Sequence, residues 1–144
     1  MKQGSKRVIL MNVGVALLAA GSLFAASTDT IRATVPFDFM IGKQAIAAGE
    51  YTIRKAGALD ALVLRAADAR LSQAFLTNST RVTRPQPETK LVFNRYGNRY
   101  FLREIWVVGE LSGHQLPRSA AEREASMASN NGAPDEVLVL VAGR

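Results

Sequence analysis

The sequence predicts a mainly β protein: a small antiparallel β-sandwich or barrel of about seven strands with one C-terminal helix. Three observations carry this. Thr30 to Phe39 alternates between apolar and polar residues. Gly97-Asn98 divides two long alternating runs, as a hairpin turn does. A single stretch, after Ser119, opens with a helix-capping pattern, and one more apolar run follows it at Val137–Ala142.

In the first strand Ile31, Ala33, Val35, Phe37 and Phe39 share one face, and Arg32, Thr34, Pro36 and Asp38 the other. Period two gives a strand with one buried face. Pro36 has no N–H for a ladder, which puts this strand at an edge or turns Pro36 to the open side. Gly42-Lys43 and Ala48-Gly49 bracket a short turn region. Tyr51–Lys55 is the next strand, with Tyr51 and Ile53 inward. Leu59–Ala66 is a denser apolar run and a more buried strand. Asp68 marks a turn, and Leu71–Asn78 answers with Leu71, Gln73, Phe75 and Thr77 on one face. Short strands at this spacing suit a sandwich or barrel. Arg81–Glu88, with Pro85 and Pro87, reads as a loop.

Lys90–Tyr96 and Arg99–Val108 flank Gly97-Asn98, a two-residue loop of the type II′ kind. That turn pairs Tyr96 with Arg99, Arg95 with Tyr100 and Phe93 with Leu102. One face then carries Leu91, Phe93, Tyr100, Leu102 and Trp106, with Arg95 at its rim and Glu104 as a polar exception. The other carries Val92, Asn94, Tyr96, Arg99, Phe101, Arg103 and Ile105. Leu116-Pro117-Arg118 leads into the helix, where Ser119 and Glu122 form a capping box. Glu122 and Glu124 sit where the helix dipole favours negative charge. Ala121, Ala125 and Ala128 make a small-residue stripe suited to packing on a sheet, and Asn130-Asn131-Gly132 stops the helix. Val137–Ala142 reads as a strand buried on both faces, inserted beside earlier strands. No internal repeat or low-complexity segment is present.

The first residues read as a leader. Met1–Arg7 holds Lys2, Lys6 and Arg7 and no acid; Val8–Ala25 is almost wholly apolar; Ala25-Ala26-Ser27 supplies small residues for a peptidase. The division expected is a signal peptide over 1–27 and a single β-rich domain over 28–144. Cleavage after Ser27 fits best, and cleavage after Ala25 also fits. The alternative is an uncleaved N-terminal membrane anchor, weakened by Asn12 and two glycines in a stretch at the lower edge of a bilayer span. Localisation is thus expected in the periplasm or outside the cell.

Composition narrows the chemistry. Of 144 residues, 48% are hydrophobic and 21% charged, which is the globular range. The absence of cysteine excludes disulfides, thiolate metal sites, a Cys nucleophile and an acylated N-terminal Cys. Without Lys2, Lys6 and Arg7 the 18 basic residues fall to 15 against 12 acidic ones, so a net charge of +6 becomes +3. That mild, dispersed charge argues against nucleic acid as a partner.

Several stretches together look familiar: Val35-Pro36-Phe37-Asp38-Phe39, Ile41-Gly42-Lys43, Ala48-Gly49-Glu50-Tyr51-Thr52-Ile53, Lys90-Leu91-Val92-Phe93, Arg95-Tyr96-Gly97, Tyr100-Phe101-Leu102, and Leu116-Pro117-Arg118-Ser119 with Glu122-Arg123-Glu124. Between about Val35 and Glu124 the chain resembles a group of small exported bacterial proteins common in acidobacteria. The resemblance implies export and a shared fold and carries over no catalytic residue. Where such sequences tend to have an Asp-Gly turn, this one has Asp68-Ala69, and alanine tolerates a positive φ poorly.

No catalytic or metal motif stands out, and no cofactor is called for. His114, the one histidine, lies in Ser112-Gly113-His114-Gln115 and reads as a surface loop residue. With no second His and no Cys, a His-cluster metal site or a Cys–His pair is ruled out. Ser72, Ser79, Ser112, Ser119, Ser126 and Ser129 lack a nucleophile turn. Asp38, Glu50, Asp60, Asp68 and Glu104 show no spacing that singles out an acid–base pair. Asp38-Phe39-Met40-Ile41-Gly42-Lys43 lacks the glycines of a phosphate loop. The one surface that draws attention is the second face of the hairpin. There Asn94, Tyr96, Arg99, Phe101 and Arg103 combine flat rings with forked cations and are the expected ligand-binding residues. The competing expectation is that the helix covers this face.

The function expected is that of an exported, non-enzymatic module binding a protein, glycan or lipid, with membrane contact only through the leader if it stays uncleaved. The alternatives are a structural or stress-related envelope protein without a small ligand, and an unrecognised hydrolase.

Overall fold

A computed structural model describes residues 7–9, 30–57 and 60–141. The expected leader therefore lies outside the described residues except for Arg7–Ile9, as do Leu59 and Ala142 at the ends of two expected strands. The elements are β1 (Arg7–Ile9), β2 (Thr30–Val35), β3 (Phe39–Ile41), β4 (Gln44–Ile46), β5 (Gly49–Lys55), β6 (Ala61–Ala66), β7 (Ser72–Leu76), β8 (Asn78–Arg81), β9 (Lys90–Tyr96), β10 (Arg99–Trp106), β11 (Ser112–Gln115), α1 (Ala120–Ala128) and β12 (Asp135–Leu140). The chain is mainly β with one C-terminal helix, and its two sheets form a sandwich rather than a closed barrel. Eleven strands run from Thr30 onward instead of about seven. The additional ones, β3, β4, β8 and β11, have three or four residues each, too few for an alternation signal.

One sheet is the meander β2-β5-β6-β7. The other runs β1-β12-β9-β10-β11-β8, with β3 also beside β10 and β4 beside β3. Val35, Ile53 and Leu64 of the first sheet meet Phe39, Phe93, Leu102 and Ile105 of the second in one core. No helix among the described residues is long and apolar enough to cross a membrane.

The strand expected over Thr30–Phe39 is two strands in different sheets. Pro36 cannot extend the ladder, so β2 ends at Val35, and β3 restarts at Phe39 beside β10. Phe37 fills the corner between them, stacked on Tyr100 at 3.8 Å and edge-on to Phe93 at 4.9 Å. Asp38 Oδ1 accepts from the Ala48 N–H at 2.8 Å and holds the returning chain. The expected turn region from Gly42 to Gly49 contains the hairpin β3–β4, with Gly42 at φ +59°.

The 90–106 hairpin keeps the predicted register at Tyr96↔Arg99, Arg95↔Tyr100 and Phe93↔Leu102. Between Leu102 and Glu104 the register shifts, so Arg103 is the extra residue of a β-bulge. Beyond it the two faces exchange. Ile105, expected outside, stands opposite Leu91 in the intersheet core. Glu104 and Trp106, expected inside, turn to the face of Val92 and Asn94.

Strand β12 pairs antiparallel with β9 from Asp135↔Arg95 to Leu140↔Lys90, and parallel with β1. Val137 and Val139 are buried and Leu138 and Leu140 half-buried, in keeping with a strand covered on both faces.

Candidate functional site

The residues expected to bind a ligand do not form an open patch. Asn94 is 8% exposed, Tyr96 5% and Phe101 2%; the helix lies over them, with Ala125 buried against Tyr96 and Phe101 and Ala121 packed beside it. Ala128, third in the expected stripe, is exposed. Arg99 is exposed, its guanidinium 5.3 Å from the centroid of the Phe101 ring. Arg103, the bulge residue, is half-buried and donates to the Leu116 carbonyl.

The helix is held there by a buried carboxylate. Ser119 Oγ accepts from the Glu122 N–H at 3.1 Å, so the N-cap is as expected. The Glu122 side chain does not complete the capping box. It turns inward, accepting from Asn94 Nδ2 at 2.8 Å and Tyr96 OH at 3.2 Å, with Arg118 Nε at 4.0 Å. Burial, followed by the Glu122 charge, raises the Tyr96 phenol above its ordinary value. Glu104 accepts from the Trp106 indole N–H at 2.8 Å and from Gln115 at 3.3 Å.

A cleft of about 140 Å³ lies between the sheets near the β5–β6 and β10–β11 connections. Ile31, Ile53, Leu62 and Ile105 form its apolar floor. Lys55, Asp60, Ser79, Glu110, Ser112 and His114 supply its polar lining. Strand pairing explains the assembly. His114 on β11 is the cross-strand partner of both Ile105 on β10 and Ser79 on β8. Since Ile105 faces the core, this row faces the cleft. The sequence reading placed His114 in a surface loop; it is half-buried on a strand. The signal was weak because β11 has four residues with a glycine among them.

The tautomer of His114 follows from its neighbours. Thr77 Oγ1 donates its one proton to the Asp60 carbonyl at 2.9 Å. At 3.0 Å from His114 Nδ1 it must therefore accept, so Nδ1 carries the hydrogen. Nε2 is then the acceptor of the neutral ring. Burial, and next the Lys55 charge, lower the imidazole below its ordinary value, against the opposing pull of Asp60 and Glu110. At neutral pH the ring is uncharged.

This arrangement lacks the features of acyl-transfer catalysis. A hydroxyl rather than a carboxylate stands behind Nδ1, so no anion supports an imidazolium. Among the described hydrogen bonds neither the Ser79 nor the Ser112 hydroxyl reaches the His114 ring. Among the described residues no group of three or more His, Asp or Glu side chains is placed to hold a metal ion. What the cleft offers is an apolar floor, one neutral acceptor and charges of both signs. No protein-family model, curated protein or solved structure matches the chain.

Proposed function

We propose that the chain is exported and serves as a non-enzymatic binding module, with its ligand held in the cleft between the sheets. The observation that supports this best is the neutral His114, fixed by Thr77 so that Nε2 accepts, above a floor of Ile31, Ile53, Leu62 and Ile105. An apolar group would rest on that floor while a hydroxyl or amide donates to the imidazole. Lys55, Asp60 and Glu110, charges of both signs along the cleft, orient a polar remainder. A partner protein's apolar side chain, a glycan or a lipid-derived group would meet this requirement. Support for export comes from the basic, apolar and small-residue succession over Met1–Ser27.

Two measurements test the reading. The intact mass of protein recovered from envelope or medium should lack about 25–27 residues; a full-length product counts against cleavage. Amide NMR spectra recorded with a panel of oligosaccharides, apolar peptides and lysolipids should show shifts clustered at Ser112–Gln115 and Leu62, weakened at least tenfold by His114→Phe. Shifts elsewhere, or chemical turnover of a panel member, would overturn it.

A further inference from the structure

The helix covers the outer face of the larger sheet, but nothing among the described residues covers the outer face of β2-β5-β6-β7. We infer that this face docks the protein on an anionic lipid surface. The inference does not depend on what the cleft binds.

Register fixes what the face carries. Arg32 pairs with Thr52, and Thr52 with Arg65, so two arginines stand in one cross-strand row, two strands apart. Arg54, two residues along the central strand β5, completes a triangle. From strand spacing and rise its sides are about 7–10 Å. All three arginines are exposed, and none is in an ion pair with a carboxylate among the described residues. Glu50, paired with Thr34, is the one acid at an outward position of the four strands. The face is therefore net cationic.

The second observation is apolar. Ala61 pairs with Leu76, and Val63 with Ala74, so one corner of the same face is without charge. Leu76 is 68% exposed there, a large side chain with no packing role in the sandwich. Cations around an exposed apolar corner are what an interfacial contact with acidic headgroups requires: the arginines reach phosphates, and the leucine enters the boundary below them. A triangle of charges matches a two-dimensional array of headgroups better than it matches a linear acidic polymer. Among the described residues no aromatic ring stands on the face to stack a sugar. Arginine also loses less hydration than lysine on such contact.

The test is flotation with vesicles of mixed phosphatidylglycerol and phosphatidylcholine, and of phosphatidylcholine alone, at low and high salt. The wild type should bind the mixed vesicles and be released by salt. Each arginine neutralised should weaken partition roughly fivefold, so Arg32→Gln with Arg65→Gln should weaken it by roughly twenty-five-fold. Neither residue lines the cleft, so ligand shifts at His114 should be unchanged. Wild type and double variant begin at the same residue, so any contribution of the N-terminal segment cancels in the comparison. Leu76→Trp supplies an independent readout, since Trp106, the one native tryptophan, is buried: its emission should shift to the blue on anionic vesicles and stay unchanged with the soluble polyuronate alginate. Equal binding to both vesicle types, no binding, unaltered binding by the double variant, or a blue shift with alginate alone would overturn the inference.

Discussion

Asn94 Nδ2 on strand β9 lies 2.8 Å from Glu122 Oε1 in the first turn of the helix. With Tyr96 as a second donor to the same oxygen, the contact fastens the helix to the sheet. Glu122 is 2% exposed, so losing the carboxylate leaves two buried donors unmatched. Glu122→Ala should cost about 2–4 kcal/mol in urea unfolding. Glu122→Gln, which keeps an acceptor, should cost less. If Ala is neutral, the helix does not rely on this contact.

Gly113 is required by a neighbour rather than by its backbone angle. A Cβ built there would stand 2.5 Å from Cε3 of Trp106, whose indole N–H is tied to Glu104. Gly113→Ala should destabilise by about 1–3 kcal/mol as an overpacked contact. Trp106 itself reports the change, and its emission should move to the red as the ring is displaced.

Ala69 holds φ +59°, the one positive φ outside glycine among the described residues. Asp68 stabilises that turn through Oδ1, which accepts from the Arg70 N–H at 3.0 Å. The left-handed region costs an L-residue about 1–2 kcal/mol, offset in part by the greater chain entropy of glycine. Ala69→Gly should therefore raise stability by about 0.5–1 kcal/mol. A drop in the thermal midpoint would contradict the strained-turn account.

Stability should fall on both sides of neutrality. The His114 value is lowered in the fold from the ordinary 6.5. Below that pH the unfolded chain takes up a proton that the folded one resists, so its contribution is complete above 6.5 and lost as pH falls. Tyr51 and Tyr96 are raised from the ordinary 10.0, in each case chiefly by burial. Their contribution is complete below 10 and lost as pH rises through the folded values. Thermal midpoints against pH should show both declines. His114→Gln should reduce the acid one and Tyr96→Phe the alkaline one.

What was legible in the sequence was what is local. The Gly97-Asn98 turn fixes its own register over neighbouring residues, and Ser119 caps the helix it precedes. The faces beyond Leu102 were misread because alternation assumes no extra residue. The three-residue step from Leu102 to Ile105 was the available signal for a bulge at Arg103. Pro36 announced a limit to the strand but not that the chain would change sheets there. The covered face at Tyr96 and Phe101 depends on where a helix that starts only at Ala120 comes to rest. The cleft was not legible at all. Lys55, Asp60, Ser79, Glu110 and His114 come from three separate stretches, and no spacing in the chain foretells their meeting.

Ribosomes make chains from one end, and the pairing of β12 with β9 sets a timetable. Asp135 pairs with Arg95 forty residues earlier, and the ladder is complete only at Leu140. Until then β9 has one neighbour in place, and the edge that β12 will occupy stays bare. The meander of β2, β5, β6 and β7 can form early from nearby strands, whereas the larger sheet waits for β12. Distant pairings of this kind fold slowly. A nascent chain that postpones its final sheet in this way keeps that edge open during synthesis, so a chaperone's window to act closes only once the six residues of β12 are in place.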